Sequence, residues 1–261
     1  MTSKPVFDIH KTTYSLSIQL GLNGFSFCVA TNEGEIISNF NETSGDHRYT
    51  EQELYNQIVN IFEKKPELQA QFNVVEVVYH NDLFALVPQE LFDVNNKSVY
   101  LNYSVKTLAT DYITHDSIKG TNIINAFIPY INVNNFLIDQ LGEFSYQHSS
   151  ALLITKALEL SKNKFTEKVF VFVSRGIFDI IITKGNDLLL FNSFNYINNE
   201  DILYYLLFCM EQLSLSPNIA EVELLSEINK ELYDLIYTYV RNVQKNTNDS
   251  NLLLHQIALN L

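Results

Sequence analysis

Residues 169–194, VFVFVSRGIFDIIITKGNDLLLFNSF, read as three consecutive β-strands, at 169–174, 177–183 and 187–194, joined by two tight turns. Runs of β-branched and aromatic residues interrupted by glycine are the signature of such a meander. An amphipathic helix follows from about Asn199 to Leu213, with Ile202, Tyr205, Leu206, Cys209 and Leu213 on its inner face. Strand 219–225 alternates Ala220, Val222 and Leu224 with Glu221 and Glu223, and a helix runs through Leu232, Leu235, Ile236 and Tyr239. The order is βββαβα.

An earlier stretch has the same layout. Residues 14–40, YSLSIQLGLNGFSFCVATNEGEIISNF, give strand, glycine-bearing turn, strand, turn and strand. A helix follows in which Leu54, Tyr55, Ile58, Ile61 and Phe62 recur at helical spacing, opened by a capping box of Thr50 and Glu53. Residues 74–79, VVEVVY, form a buried-type strand, and Pro88 suits the first turn of a second helix, PQELF. Corresponding elements lie a nearly constant ~150 residues apart, which marks an internal duplication. With only two copies, a solenoid or propeller is excluded and two related lobes are expected.

Between the copies, 111–118 and 125–131 read as strands, 133–141 as a helix and 143–148 as a strand. Ser149 or Ser150 is expected to cap a helix through Leu152, Leu153, Ala157 and Leu160. The polar tail 241–250 reads as a loop, and 252–261 as a short strand or helix.

The composition of the 261 residues, 46% hydrophobic and 18% charged, is that of a folded globular chain. Seventeen Lys and Arg against thirty Asp and Glu give a net charge of −13, which repels phosphate backbones and anionic lipid surfaces. The small basic clusters at 64–65, 162–168 and 241–245 read as solvated surface. Cys28 and Cys209 lie in no CxxC or Cys/His pattern and read as buried thiols. The N-terminal MTSKPVFDIHK lacks an apolar h-region, and the apolar run 202–210 is far short of a bilayer span. A cytoplasmic location is expected.

Two βββαβα units, each opening with a meander whose first turn bears glycine, resemble the actin-like ATPase superfamily of actin, Hsp70 and sugar kinases. Residues 84–92 (FALVPQELF) and 147–152 (QHSSAL) more closely resemble an uncharacterised bacterial family with that fold. The resemblance implies an α/β protein of duplicated ribonuclease H-like (actin-like) lobes, each βββαβα-based with a mixed sheet, the first over 1–165 and the second, smaller one over 166–261. It also implies that each lobe's first turn corresponds to a phosphate loop, in which an Asp-x-Gly sequence places a carboxylate for Mg²⁺ and glycine admits phosphate. The corresponding positions here are Gly21, Asn23 and Gly24 in the first lobe and Ser174, Arg175 and Gly176 in the second. Gln19 and Phe172 stand where the carboxylates are expected. Neither supplies the anionic oxygen that Mg²⁺ favours, so the loops read as degenerate and the glycines as hairpin geometry. Arg175 could meet an anion between the lobes, although a lone Arg more often forms a structural ion pair.

Other chemistry finds little support. A ribonuclease H-type nuclease needs a carboxylate on its first strand, and residues 15–20, SLSIQL, have none. His47, His80 and His115 each have a carboxylate nearby in sequence but read as solvated loop residues. Walker A, HExxH, GxSxG and GxGxxG motifs are absent, and the acidic surroundings of Gly21-Leu22-Asn23-Gly24 argue against a KH loop. Fifteen Tyr and eighteen Phe without Trp give an aromatic-rich core, with some rings expected at a protein interface. The helix at 200–213 is apolar almost all round, so it is either buried between layers or meets a partner with its second face. The expectation is a non-catalytic cytoplasmic binding or scaffold protein with a protein partner, no cofactor, no metal, no nucleic acid and no membrane contact. The alternative is an ATP- or small-ligand-binding enzyme with a rebuilt interlobe cleft.

Overall fold

The computed structural model describes residues 14–44, 47–103, 105–108, 111–174, 176–245 and 253–260. The N-terminal 1–13, Asp46, Arg175 and the tail segment 246–252 lie outside the described residues. Backbone contacts group 14–151 with 254–260 as one compact unit, and 152–245 with 253 as another.

In the first unit, β1 (Tyr14–Gly21), β2 (Gly24–Thr31) and β3 (Ile36–Thr43) form the meander. Helix α1 (Glu51–Lys64) leads to β4 (Phe72–Tyr79). After an excursion, α3 (Ile131–Leu141) leads to β8 (Ser145–His148). Strand order is β3-β2-β1-β4-β8, antiparallel through the meander and parallel from β1 to β8. Period-2 alternation explains the layering. Leu16, Ile18, Leu20, Phe25, Phe27, Val29, Val77 and Tyr79 form one core with Leu54, Ile58, Ile61 and Phe62 of α1 and Val133 and Leu137 of α3. Thr50 and Glu53 close the capping box that starts α1.

The opposite side of β1 and β2 carries Ser17, Ser26 and Cys28 in place of large aliphatic residues. Helix α7 (Leu253–Leu259) docks there through His255, whose ring nitrogens lie 2.9 Å from the hydroxyls of both Ser17 and Ser26. Burial holds this imidazole neutral, pulling its pKa down to about 4.

The second unit repeats the plan. Strands β9 (Glu167–Ser174), β10 (Ile177–Lys184) and β11 (Asp187–Asn195) precede α5 (Asn199–Gln212), β12 (Glu221–Leu224), α6 (Lys230–Tyr239) and β13 (Asn242–Lys245). Their order, β11-β10-β9-β12-β13, is that of the first sheet position by position, with the same antiparallel and parallel pairings. Phe178, Ile180 and Ile182 pack on Ile202 and Leu206 of α5 and Ile236 of α6. The other face of β10 is buried as well. Thr183 there contacts Ser161 of α4 (Ser149–Ser161), their hydroxyl oxygens 2.5 Å apart. Cys209 is buried in α5, which pushes its thiol up to about 11.

Three expectations change. PQELF is no helix: Pro88 ends strand β5 (Phe84–Pro88), paired with Ile123, and residues 89–91 make a single 3₁₀ turn. The second helix of the first unit is α3, delayed by an inserted sheet of β5, β7 (Ile123–Phe127) and β6 (Thr114–Ser117), in order β5-β7-β6, with a short helix α2 (Lys97–Leu101). The tail contains β13, because pairing with β12 satisfies its backbone and buries Val243. Lys168 is not a solvated cation: it forms a 2.5 Å ion pair with Glu223, both side chains largely covered.

Phe172 is buried on β9, opposite Asp179 of β10, whose carboxylate accepts a hydrogen bond from the Ser193 hydroxyl. Phe172→Ala is expected to lower unfolding free energy by about 3–5 kcal/mol in chemical denaturation, the usual cost of emptying an aromatic site.

Candidate functional site

The first phosphate-loop counterpart is a two-residue hairpin. Gly21 pairs with Gly24, and Leu22 and Asn23 form the turn. Its outward groups are already used. The Leu22 carbonyl accepts from Tyr49 N–H at 2.7 Å, and the Asn23 carbonyl from Ser44 N–H at 3.0 Å. A Cβ on Gly21 would lie 2.6 Å from the His80 carbonyl oxygen, and one on Gly24 would lie 2.3 Å from that of Glu42. The glycines therefore admit neighbouring backbone. Gln19 places its amide nitrogen 3.5 Å from His80 Nδ1.

In the second unit, Ser174 and Gly176 flank the β9–β10 turn, and Gly176 takes φ of 72°, the left-handed region that favours glycine. The Ser174 carbonyl accepts from the Tyr196 hydroxyl at 2.9 Å, and that of Gly176 from Tyr196 N–H at 3.3 Å. Gly21, Asn23 and Gly24 thus share one turn and Ser174 and Gly176 another, each braced by its own unit. In the first turn the space beside Gly21 and Gly24 is therefore filled by backbone of the same unit. Among the described residues, no group of three or more His, Cys, Asp or Glu side chains could hold a metal ion.

A polar cluster that the sequence reading missed lies at the C-terminal ends of β4 and β8. His80 is 4% exposed and Asn81 and His148 are buried, so the expectation of a solvated His80 is wrong. The strand β4 enters the core and carries the residues that follow it inside. His148 Nδ1 accepts from Ser150 N–H at 3.2 Å and lies 2.8 Å from the Ser150 hydroxyl, while Nε2 faces the Asn81 carbonyl at 3.1 Å. The neutral Nε2–H tautomer satisfies all three contacts. His148 thereby caps α4 through its ring, replacing the expected serine cap. Burial, reinforced by the neighbouring His80, lowers its pKa to about 3. Phe84 and Phe127 flank the ring at 4.7 and 5.4 Å.

Asp82 joins Arg48 in a two-pronged contact of 2.8 and 3.4 Å at the edge of this cluster. Asp116 of β6 accepts the His148 backbone N–H at 2.9 Å, and burial raises its carboxyl to about 6. Of the other histidines, His47 is exposed, 4.0 Å from Glu53, and His115 packs on the Phe92 ring at 4.9 Å.

A family model described as "Protein of unknown function (DUF3822)" matches residues 4–243. The chain belongs to this family. No curated protein matches it. Among solved structures, this DUF3822 member is similar to a Bacteroides thetaiotaomicron protein described as having an actin-like ATPase fold and unknown function, at 22% identity and TM-score 0.81 over 96% of each chain. It is also similar to ethanolamine utilization protein EutJ from Carboxydothermus hydrogenoformans, at 8% identity and TM-score 0.56, covering 97% of this chain and 91% of that one. A chain of the PilM-PilN type IV pilus biogenesis complex matches at 11% identity and TM-score 0.53, over 94% and 95%. These likenesses establish the fold: this DUF3822 chain has the duplicated actin-like architecture.

The two neutral histidines give stability a definite pH dependence. An unfolded histidine takes up a proton near pH 6.5, whereas buried His148 and His255 resist protonation until about 3 and 4. Their contribution is complete above pH 6.5 and is lost on acidification, at about 1.4 kcal/mol per pH unit for each. Asp116 acts in the opposite sense between about 6 and its unfolded value, offsetting one of them. His255→Gln is expected to flatten the fall in urea midpoint between pH 6.5 and 5 relative to wild type; an unchanged slope would contradict the buried neutral state.

Proposed function

We propose that this protein is a non-catalytic binding or scaffold component of the cytoplasm, built on an actin-like fold whose phosphate loops have become structural turns. The observation that carries the reading is the close approach of the His80 and Glu42 carbonyls to Gly21 and Gly24, where a phosphate-binding loop would need open backbone. Gln19 and buried Phe172 at the expected acidic positions support it. Cys28 and Cys209 are both buried inside their units, the usual place of a structural cysteine thiol. Among the described residues, no helix is long and apolar enough to cross a membrane.

Protein contact is the activity the remaining surface favours. On α5, Leu203 is buried but Tyr204 is 62% exposed, stacked with partly exposed Phe208 one turn on. Tyr204 and Phe208 lie on the second face of this helix, for which the sequence allowed either burial between layers or contact with a partner. The insertion exposes Leu91, Val94, Tyr103 and Leu108. Exposed aromatic and aliphatic side chains of this kind are typical of interface cores. A similar fold occurs in the PilM-PilN complex, an assembly of proteins, which offers a precedent for this mode of action.

Calorimetric titration with Mg²⁺-ATP and Mg²⁺-ADP tests the reading. No binding tighter than the high micromolar range is expected, and Gln19→Asp should gain no ATPase activity, since one carboxylate does not rebuild the second loop. Micromolar nucleotide binding by the wild type, or hydrolysis by the variant, would favour a ligand-binding enzyme.

A further inference from the structure

Asn125 occupies the central strand of the inserted sheet, opposite Leu86 on one side and Asp116 on the other. It is 0% exposed, and among the described residues neither its amide oxygen nor its amide nitrogen has a hydrogen-bond partner. Ser149, the first residue of α4, is 1% exposed, and its hydroxyl is equally unpartnered. The topology brings the two together. Residues paired across antiparallel strands project from the same face, so Asn125 shares a face with Asp116. The Asp116 carboxylate accepts the backbone N–H of His148, immediately before Ser149. Phe84 and Phe127, a mutually paired couple two residues further along β5 and β7, contact the His148 ring on this same side. That face of the inserted sheet is therefore turned toward the start of α4.

Buried amides and hydroxyls in native proteins are almost always satisfied, so the three orphan atoms call for a partner that the described residues do not provide. Its chemistry is constrained by what surrounds it. An anion would meet the Asp116 carboxylate at the same helix start. A cation would meet the positive end of a 13-residue helix, and the Asn125 nitrogen, which only donates. A small neutral molecule that both donates and accepts fits each group. We propose that Asn125, Ser149 and Asp116 hold buried water, a polar strut tying the central strand of the insertion to the first turn of α4. Asp116, only partly covered, gives this water its route to solvent.

Water-selective cross-relaxation NMR on the native protein tests the site directly. Cross-peaks from long-lived water to the Asn125 side-chain amide protons and the Ser149 amide are expected; their absence would overturn the proposal. So would a crystallographic map showing a metal ion at the site, or Asn125 bonded directly to protein groups. Asn125→Leu keeps the size and removes the polar atoms. Loss of the bridge is expected to lower its melting temperature by roughly 2–8 °C. An unchanged or higher melting temperature would mean that the amide was dry and unsatisfied, and would equally overturn the site. Should that variant fail to fold, the native NMR experiment decides alone.

Discussion

The carbonyl of His80 lies so close to Gly21 that no side chain could stand at that position, where the first turn of the meander begins. Much of the first unit follows from that approach. The His80 N–H donates to the Leu20 carbonyl at 2.7 Å, which extends the parallel pairing of β1 and β4 to their ends. This fixes where β4 stops, and so places Asn81 under the His148 ring. His148 in turn starts α4. A turn at the position of a phosphate loop is thus the first member of a chain of backbone and imidazole contacts running across three strands. Rebuilding it as a binding loop would disturb the cap of a helix that begins on another strand.

The two units share strand order but bury their second faces differently. In the second, β10 is itself mainly apolar and buried on both sides, with Asp179 and Thr183 hydrogen-bonded on the second face, the pattern of an internal strand. In the first, the corresponding side of the meander is small and polar, and α7 is held to it by one histidine between two serines. Hydrogen bonds of this sort contribute modestly when made but cost much when one partner is removed from a buried site. They therefore specify a docking position more than they add stability. Duplication has preserved the backbone plan while leaving each copy to solve its packing separately.

Most of the fold was legible because its signals are local. Alternation in 14–40 and 169–194, the Thr50–Glu53 pair and the 3.6-residue spacing of Leu54, Ile58 and Ile61 each name an element from a single window of sequence. What was not legible depends on distant pairing. Pro88 can open a helix or end a strand, and its partner Ile123 decides the matter from across the insertion. Asn242–Lys245 is polar and short, and becomes a strand only because β12 accepts it. The polar cluster was hidden for the same reason. His80, Asn125 and His148 come from three separate strands, and no spacing rule connects them. The available hint was a polar residue inside or just beyond an apolar run, as in Ile124-Asn125-Ala126 and Val78-Tyr79-His80.

The central claim is that these two turns are structural. Amide NMR spectra of the wild-type protein, recorded while Mg²⁺-ATP is added, test it at the atoms concerned. The account predicts that the backbone signals of Gly21, Asn23, Gly24 and Gly176 stay in place at millimolar nucleotide. Saturable shifts centred on those four residues would contradict it.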